Sequence, residues 1–227
     1  MNKHILGGAV AALLALAGTA HAAGYGSNLI VNGNAESGTA GWSAYAGTEL
    51  FQAVEYGDNW VKPSQPGPVD RGGYLFVGGS GVSYAAGFQT LDLSANAADI
   101  ASGKVAFSLS GYLGGWTNQT DNAFLGLSFL DAAGQLLGAA SLGPVTPAER
   151  GNQTGLLYRA ASGYVPVGTT QVLLELSMER LVSGDNDGYA DNLSFVMTAA
   201  PVPEPATYGL MALGLVAVGT VARRRRA

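Results

Sequence analysis

Three stretches of this chain place apolar residues on alternate positions with small or polar residues between them. Val105, Phe107 and Leu109 share a face against Ala106, Ser108 and Ser110. Ala123, Leu125, Leu127 and Phe129 form a second row, and Val172, Leu174, Leu176 and Met178 a third. A period of two lines one side of a pleated strand, whereas a helix would scatter the same residues around its axis. Tyr74 to Val77 (YLFV) and Phe88 to Leu93 (FQTLDL) also read as strands. Asp131-Ala-Ala-Gly134 sits between LSFL and QLLG with the turn chemistry of a hairpin connection. Only Ala95 to Ala101 suggests a helical turn, and Pro63 to Gly73 (PSQPGPVDRGG) is expected to be a surface loop. Glycine, 34 residues of 227, punctuates the apolar runs. Many short strands between turns predict an all-β sandwich.

The two ends of the chain follow different rules. Lys3 and His4 form a small positive region, Ile5 to Gly18 an apolar one, and Ala20-His21-Ala22 a small-x-small cleavage pattern. This predicts a signal helix over 1–22 that feeds the Sec translocon and is cut after Ala22; an uncleaved anchor is the alternative. At the other end Val202-Pro203-Glu204-Pro205 precedes an apolar run from Ala206 to Ala222 and then Arg223, Arg224, Arg225 and Arg226. The prolines delay any helix until after them. The run of 17 residues spans roughly 25 Å as a helix, the short end for a bilayer core of about 30 Å. The four arginines hold the cytoplasmic side, which leaves the preceding chain outside. Residues 23–200 remain as one domain.

That middle region carries six basic residues (Lys62, Arg71, Lys104, Arg150, Arg159, Arg180) against fifteen acidic ones, a net charge of −9, where the whole chain has −5. Such a domain repels nucleic acid and anionic lipid. The chain contains no cysteine, and its two histidines, His4 and His21, both lie in the signal segment. Disulfides, thiolate and histidine catalysis and His-ligated zinc are thereby excluded from the domain. Carboxylate chemistry and oxygen-ligand metals remain.

The tail, with Pro-Glu-Pro, a short apolar run and a basic cluster in that order, resembles the PEP-CTERM sorting signal of Gram-negative bacteria. The resemblance covers about 26 residues. It implies recognition by exosortase, with Pro203, Glu204 and Pro205 as the sorting and cleavage signal, and passage through an inner-membrane-anchored intermediate to the cell surface or extracellular matrix. An ordinary C-terminal anchor is the competing reading. The middle region resembles galactose-binding-like jelly rolls and carbohydrate-binding modules. Asn28 to Glu36 (NLIVNGNAE) with Gly41-Trp42 matches their opening strand and following motif, and Gly188 to Phe195 (GYADNLSF) their closing strand. Asn34 and Ala35 depart from the usual Asp and Phe. The resemblance implies a jelly-roll β-sandwich and one structural calcium ion between the first and last strands.

Carried over residue by residue, the calcium ligands are Asn34, Glu36 and Asp191. Asp191 also shares parity with Leu193 and Phe195 and so is expected to point inward. A buried lone carboxylate needs a partner or a metal; capping a turn is its other reading. Asp185-Asn-Asp-Gly188 fails the EF-hand spacing and is expected to be a tight turn. Trp42 is assigned to the core. Trp60 and Trp116, in segments rich in Gly, Asn and Asp, are candidates for stacking on a sugar, with edge packing as the alternative. Fifteen acids supply no specific pair for a glycosidase. The expected function is a non-catalytic binding or matrix component associated with extracellular polysaccharide in a biofilm. The alternatives are a self-associating structural protein without a glycan site and, more remotely, a hydrolase.

Overall fold

A computed structural model describes residues 24–57 and 59–199. The signal helix expected at 1–22, and the motif, membrane helix and arginine cluster expected at 201–227, lie outside these residues. Among the described residues no helix is long and apolar enough to cross a membrane.

Nine strands follow one another: β1 (Gln52–Glu55), β2 (Tyr74–Gly79), β3 (Tyr84–Asp92), β4 (Ala106–Gly115), β5 (Asn122–Leu130), β6 (Leu136–Leu142), β7 (Gly155–Tyr164), β8 (Gln171–Glu179) and β9 (Asn186–Thr198). Between β3 and β4 the expected helical turn is present as a 3₁₀ turn at Ser94–Asn96 running into α1 (Ala97–Ile100). The strands form two antiparallel sheets, ordered β1-β2-β9-β4-β7 and β3-β8-β5-β6. With β1 set aside, the orders 2-9-4-7 and 3-8-5-6 interleave as two Greek keys, the connectivity of a jelly roll.

The three alternating rows read from the sequence are the inner faces of β4, β5 and β8. All their members are buried in one cluster between the sheets. Phe51, Phe76, Phe129 and Phe195 are at most 1% exposed there, each contributing about 2–3 kcal/mol by removal of apolar surface from water. Trp42 joins this core, 5.3 Å from Phe51 and 5.9 Å from Phe76 in edge-on contacts. The hairpin at Asp131–Gly134 closes as expected, with Gly134 N donating to the Asp131 carbonyl at 3.0 Å.

A second, smaller cluster lies on the outer face of the five-stranded sheet. Leu75, Val77, Leu156 and Tyr189 alternate with core residues such as Phe76 and Ala190, so they point away from the core. They are covered by the 56–73 connection between β1 and β2, whose Val61 is fully buried. The Pro66 carbonyl of this lid accepts from Leu156 N at 2.9 Å, and Tyr56 N closes its base on the Gly73 carbonyl at 3.0 Å. The loop expected at 63–73 therefore runs over the surface and also roofs a second core.

Three sequence expectations change. NLIV is not a strand: it makes a single bridge, Asn28 with Val196, before the chain turns from residue 30 onward. Residues 186–188 are not a turn but the start of β9, where Asn186 pairs with Gly79. Asp191 is buried, but on the other side of the sheet from Leu193 and Phe195. The pairing of β9 with β4 slips between Ser110 and Tyr112, and Asn192 adopts φ 48°, so a bulge resets the alternation. Both sheets and both apolar clusters are complete within residues 24–199, and Tyr25 pairs beside Met197 near the end of β9. This stretch holds everything a domain needs to fold alone.

Candidate functional site

Below the lid, the outer face of the five-stranded sheet stays open. Across it, Tyr112 of β4 faces Tyr158 of β7 on one side and Asp191 of β9 on the other. The next outward row is Ser194, Ser110 and Ala160, and the one after it Val196, Ser108 and Ser162. The floor is thus made of small, mostly hydroxyl-bearing side chains, with two tyrosine rings 5.4 Å apart at its head. Tyr158 is 55% exposed.

A groove of about 430 Å³ occupies this face. Tyr112, Asn192 and Ser194 form its sheet side, Asn28, Asn32 and Asn34 its N-terminal side, and Asp70 its lid side. Asn28 sits there for a structural reason. β2 begins only at Tyr74, so the last part of β9 has no strand beside it on that edge, and the Asn28 amide with Gly26 N and Leu29 N serves it instead. Its Oδ1 accepts from Phe195 N at 2.9 Å and Ile30 N at 3.0 Å, and its Nδ2 donates to the Leu193 carbonyl at 2.9 Å. Gly33 packs so closely that a Cβ would stand 2.2 Å from the Leu193 oxygen. Asn192 Nδ2 donates to Asp70 Oδ1 at 3.1 Å, tying the bulge to the lid. Amides, hydroxyls and one aromatic wall can bind neutral hydroxylated chains; among the described residues Asp70 is the one carboxylate lining the groove.

Behind the groove lies the carboxylate that the sequence singled out. Asp191 Oδ2 accepts from the Tyr56 hydroxyl at 2.5 Å, and Oδ1 from Asn192 N at 2.7 Å. Burial pushes its pKa up to about 7; Tyr56 and the backbone of Asn192 oppose the rise, the charge of Glu36 adds to it, and Arg71 opposes it. Tyr56 is itself driven up, first by burial and then by the Asp191 charge. The Arg71 guanidinium lies 5.0 Å from the Tyr56 ring centre, and its Nε and Nη2 donate to the Pro68 and Gln65 carbonyls at 2.9 and 3.1 Å. One chain of contacts therefore links the lid to the last strand.

The three expected calcium ligands are placed unevenly. Glu36 Oε1 accepts from Gly73 N at 2.9 Å and Tyr74 N at 3.0 Å, Asp191 is engaged as described, and Asn34 stands exposed at the groove. Their oxygens are of the kind calcium takes; the Glu36 and Asp191 carboxylates each accept two hydrogen bonds from the protein. Among the described residues no group of three acidic side chains could hold a metal ion. Trp60 and Trp116 are half-buried against the second cluster, and Trp60 meets Tyr189 edge-on at 6.2 Å. They pack at the junction of lid and sheet, while Tyr112 lines the groove with Tyr158 beside it. The sequence carried a signal for Tyr112: it is an aromatic on the polar side of a strand whose apolar side is Leu109 and Leu113. Asp70 and Asn192 gave none.

At the neighbouring end of the sheet a buried polar network fixes the loops. Arg150, 6% exposed, donates from Nη1 to the carbonyls of Gly115, Thr117 and Gln153 and from Nη2 to that of Gln119, at 2.7 to 3.0 Å. Asp121 accepts from the backbone N–H groups of Leu181, Val182 and Asp187. Burial raises the pKa of Asp187, whose Oδ1 accepts from the Tyr189 hydroxyl.

Comparison with known proteins gives two kinds of finding. The family model for the PEP-CTERM protein-sorting motif matches residues 201–226. The chain thus carries a signal for export and for sorting to the surface of a Gram-negative cell, processed by exosortase. No curated protein matches the sequence. Among solved structures, the enzymatically active domain of tailspike protein 4 of bacteriophage CBA120 is similar with a TM-score of 0.51 at 16% identity, over 75% of this chain and 21% of that one. At that identity the likeness is one of fold, and the chain spans about a fifth of the tailspike's length. A family 16 carbohydrate-binding module is similar at TM-score 0.47 and 20% identity, over 74% of this chain and 99% of that one. The C-terminal family 22 module of Clostridium thermocellum Xyn10B is similar at TM-score 0.41 and 11% identity, over 80% and 98%.

Proposed function

We propose that this exported protein is a non-catalytic binding domain that holds a neutral polysaccharide chain along the groove beside Tyr112 and Tyr158, at the cell surface or in the matrix of a biofilm. The observation that carries this reading is the groove's composition. Asparagines on one side, Ser194 and Tyr112 on the other, and the adjoining sheet face of Ser108, Ser110, Ser162 and Tyr158 offer hydrogen bonds and an apolar face, the two things a sugar ring presents. The acidic domain disfavours polyanionic chains. In this reading Trp60 and Trp116 act mainly by keeping the lid closed over the head of the groove.

A calcium ion held by Asn34, Glu36 and Asp191 is a second part of the proposal. It would neutralise the buried Asp191 carboxylate, and it requires the Tyr56 hydroxyl to give up its bond to that carboxylate.

A glycan array followed by calorimetry on residues 23–200 tests the main reading. Binding to a neutral polysaccharide is expected, weakened tenfold or more by Tyr112→Ala or Tyr158→Ala with folding intact. Absence of binding to any glycan, or binding indifferent to both substitutions, would overturn it.

A further inference from the structure

We propose that β7 is a pairing edge for a second copy of this chain, joining two five-stranded sheets into one of ten strands. The inference stands apart from the glycan reading and starts from the four edges of the two sheets. A sheet edge exposes unpaired N–H and C=O groups, so proteins shorten, bend or cover it. Among the described residues three edges are defended in these ways. β1 has four residues. β3 is flanked by the 43–49 segment through bridges at Ser43 and Glu49. β6 slips register against β5 between Phe129 and Leu130, a bulge that bends it.

β7 has none of these defences. Its ten residues pair with β4 in unbroken register from Gly155 with Gly115 to Tyr164 with Ala106. It contains no proline and a single charged residue, Arg159. Among the described residues only Leu156 N, at the extreme end, is bonded through the backbone to a segment other than β4, the lid. Arg159 is turned back on its own chain: Nη2 meets Glu149 Oε1 at 2.6 Å and Nη1 the Tyr158 carbonyl at 3.2 Å. In a domain of net charge −9 this is a neutral strip, and it carries two exposed rings, Tyr158 at 55% and Tyr164 at 69%.

The strand is complementary to itself in one register. Antiparallel pairing about a two-fold axis at Ala161 sets Tyr158 opposite Tyr164 of the partner subunit and Ala160 opposite Ser162 of the partner subunit. Arg159 then faces Gly163 of the partner subunit. The two aromatic pairs fall on the outer face, and no like charges meet; cross-strand aromatic pairs stabilise and opposed like charges destabilise. Moving the axis to Arg159 brings two guanidiniums together, and moving it to Ala160 removes the tyrosine pairs. The axis is perpendicular to the sheet, so the serine floors of both copies become one continuous surface.

Sedimentation velocity on residues 23–200 tests this, together with a cysteine experiment that the cysteine-free sequence makes clean. We expect a concentration-dependent dimer that the pair Ala160→Lys and Ser162→Lys converts to monomer. A chain with both Ala160→Cys and Ser162→Cys should form a disulfide-linked dimer on oxidation, while either cysteine alone should not, because only the pair lies opposite in this register. Neighbours two apart on one strand are too distant to bridge within a chain. The proposal is overturned by a monomer at all concentrations, by a dimer indifferent to the lysine pair, or by single cysteines that cross-link as readily as the pair.

Discussion

Asp191→Asn should change how stability depends on pH. In the folded domain the Asp191 carboxyl holds its proton up to about pH 7, whereas its ordinary value is 3.8. Between these values the folded state binds more protons than the unfolded one, so stability falls as pH rises. The full contribution is present below pH 4 and gone above pH 7. The gap amounts to on the order of 4 kcal/mol at ~1.4 kcal/mol per pH unit. The amide that replaces the carboxyl cannot ionise, so the variant lacks this loss. Asp187, also raised by burial, contributes a slope of the same sign to both proteins and cancels in the comparison. Urea unfolding of residues 23–200 between pH 4 and 8 measures the difference directly. The wild type should lose several kcal/mol more than the variant across that range, and parallel profiles would refute the account of Asp191. Millimolar calcium adds a second comparison: an ion on Asp191 would flatten the wild-type profile and leave the variant unmoved.

Other substitutions probe the scaffold. Arg150→Ala leaves four loop carbonyls without their shared donor and removes a buried charge; a loss of about 3–5 kcal/mol is expected by chemical denaturation. Gly33→Ala drives a methyl group against the Leu193 carbonyl, costing about 1–3 kcal/mol, with hydrogen exchange at Leu193 N accelerated. Asn28→Ala removes three hydrogen bonds at once, and a loss of about 2–3 kcal/mol is expected in thermal or urea unfolding.

The parts of the fold that are legible in the sequence are those where one face decides everything. The rows of β4, β5 and β8 alternate because their inner faces meet a continuous core, and each residue named there is buried. β7 is hidden because its inner face mixes Leu157, Arg159, Ala161 and Gly163 while its outer face bears tyrosines, so hydrophobicity does not alternate along it. The side of Asp191 is illegible because parity counting assumes an unbroken pleat. A single residue, Asn192 in the left-handed region, reverses it. Asparagine is one of the few side chains that tolerates that backbone, so its presence within an otherwise regular strand is the one available hint. The lid and its second cluster depend on a loop folding back over a sheet, which periodicity does not encode. For the same reason the sequence leaves Trp60 and Trp116 open between stacking on a sugar and edge packing: nothing in their own segments announces Val61, Leu156 and Tyr189 beneath them.

β9 runs to Thr198, and its last part is held by β4 on one side and by residues 25–29 on the other. Chain entering and chain leaving the sandwich are thus side by side. Among the described residues the first paired one, Tyr25, follows the expected cleavage point after Ala22, and the last strand residue, Thr198, precedes Pro203 by five positions. Five residues can span at most about 17 Å, so a cut at the expected signal Pro203–Pro205 would fall close to the domain and outside every described strand. Neither expected cut removes a strand residue or a member of either core. Both expected cuts would therefore leave the groove intact, because the residues that seal the end of the last strand, Tyr25 to Leu29, lie inside them.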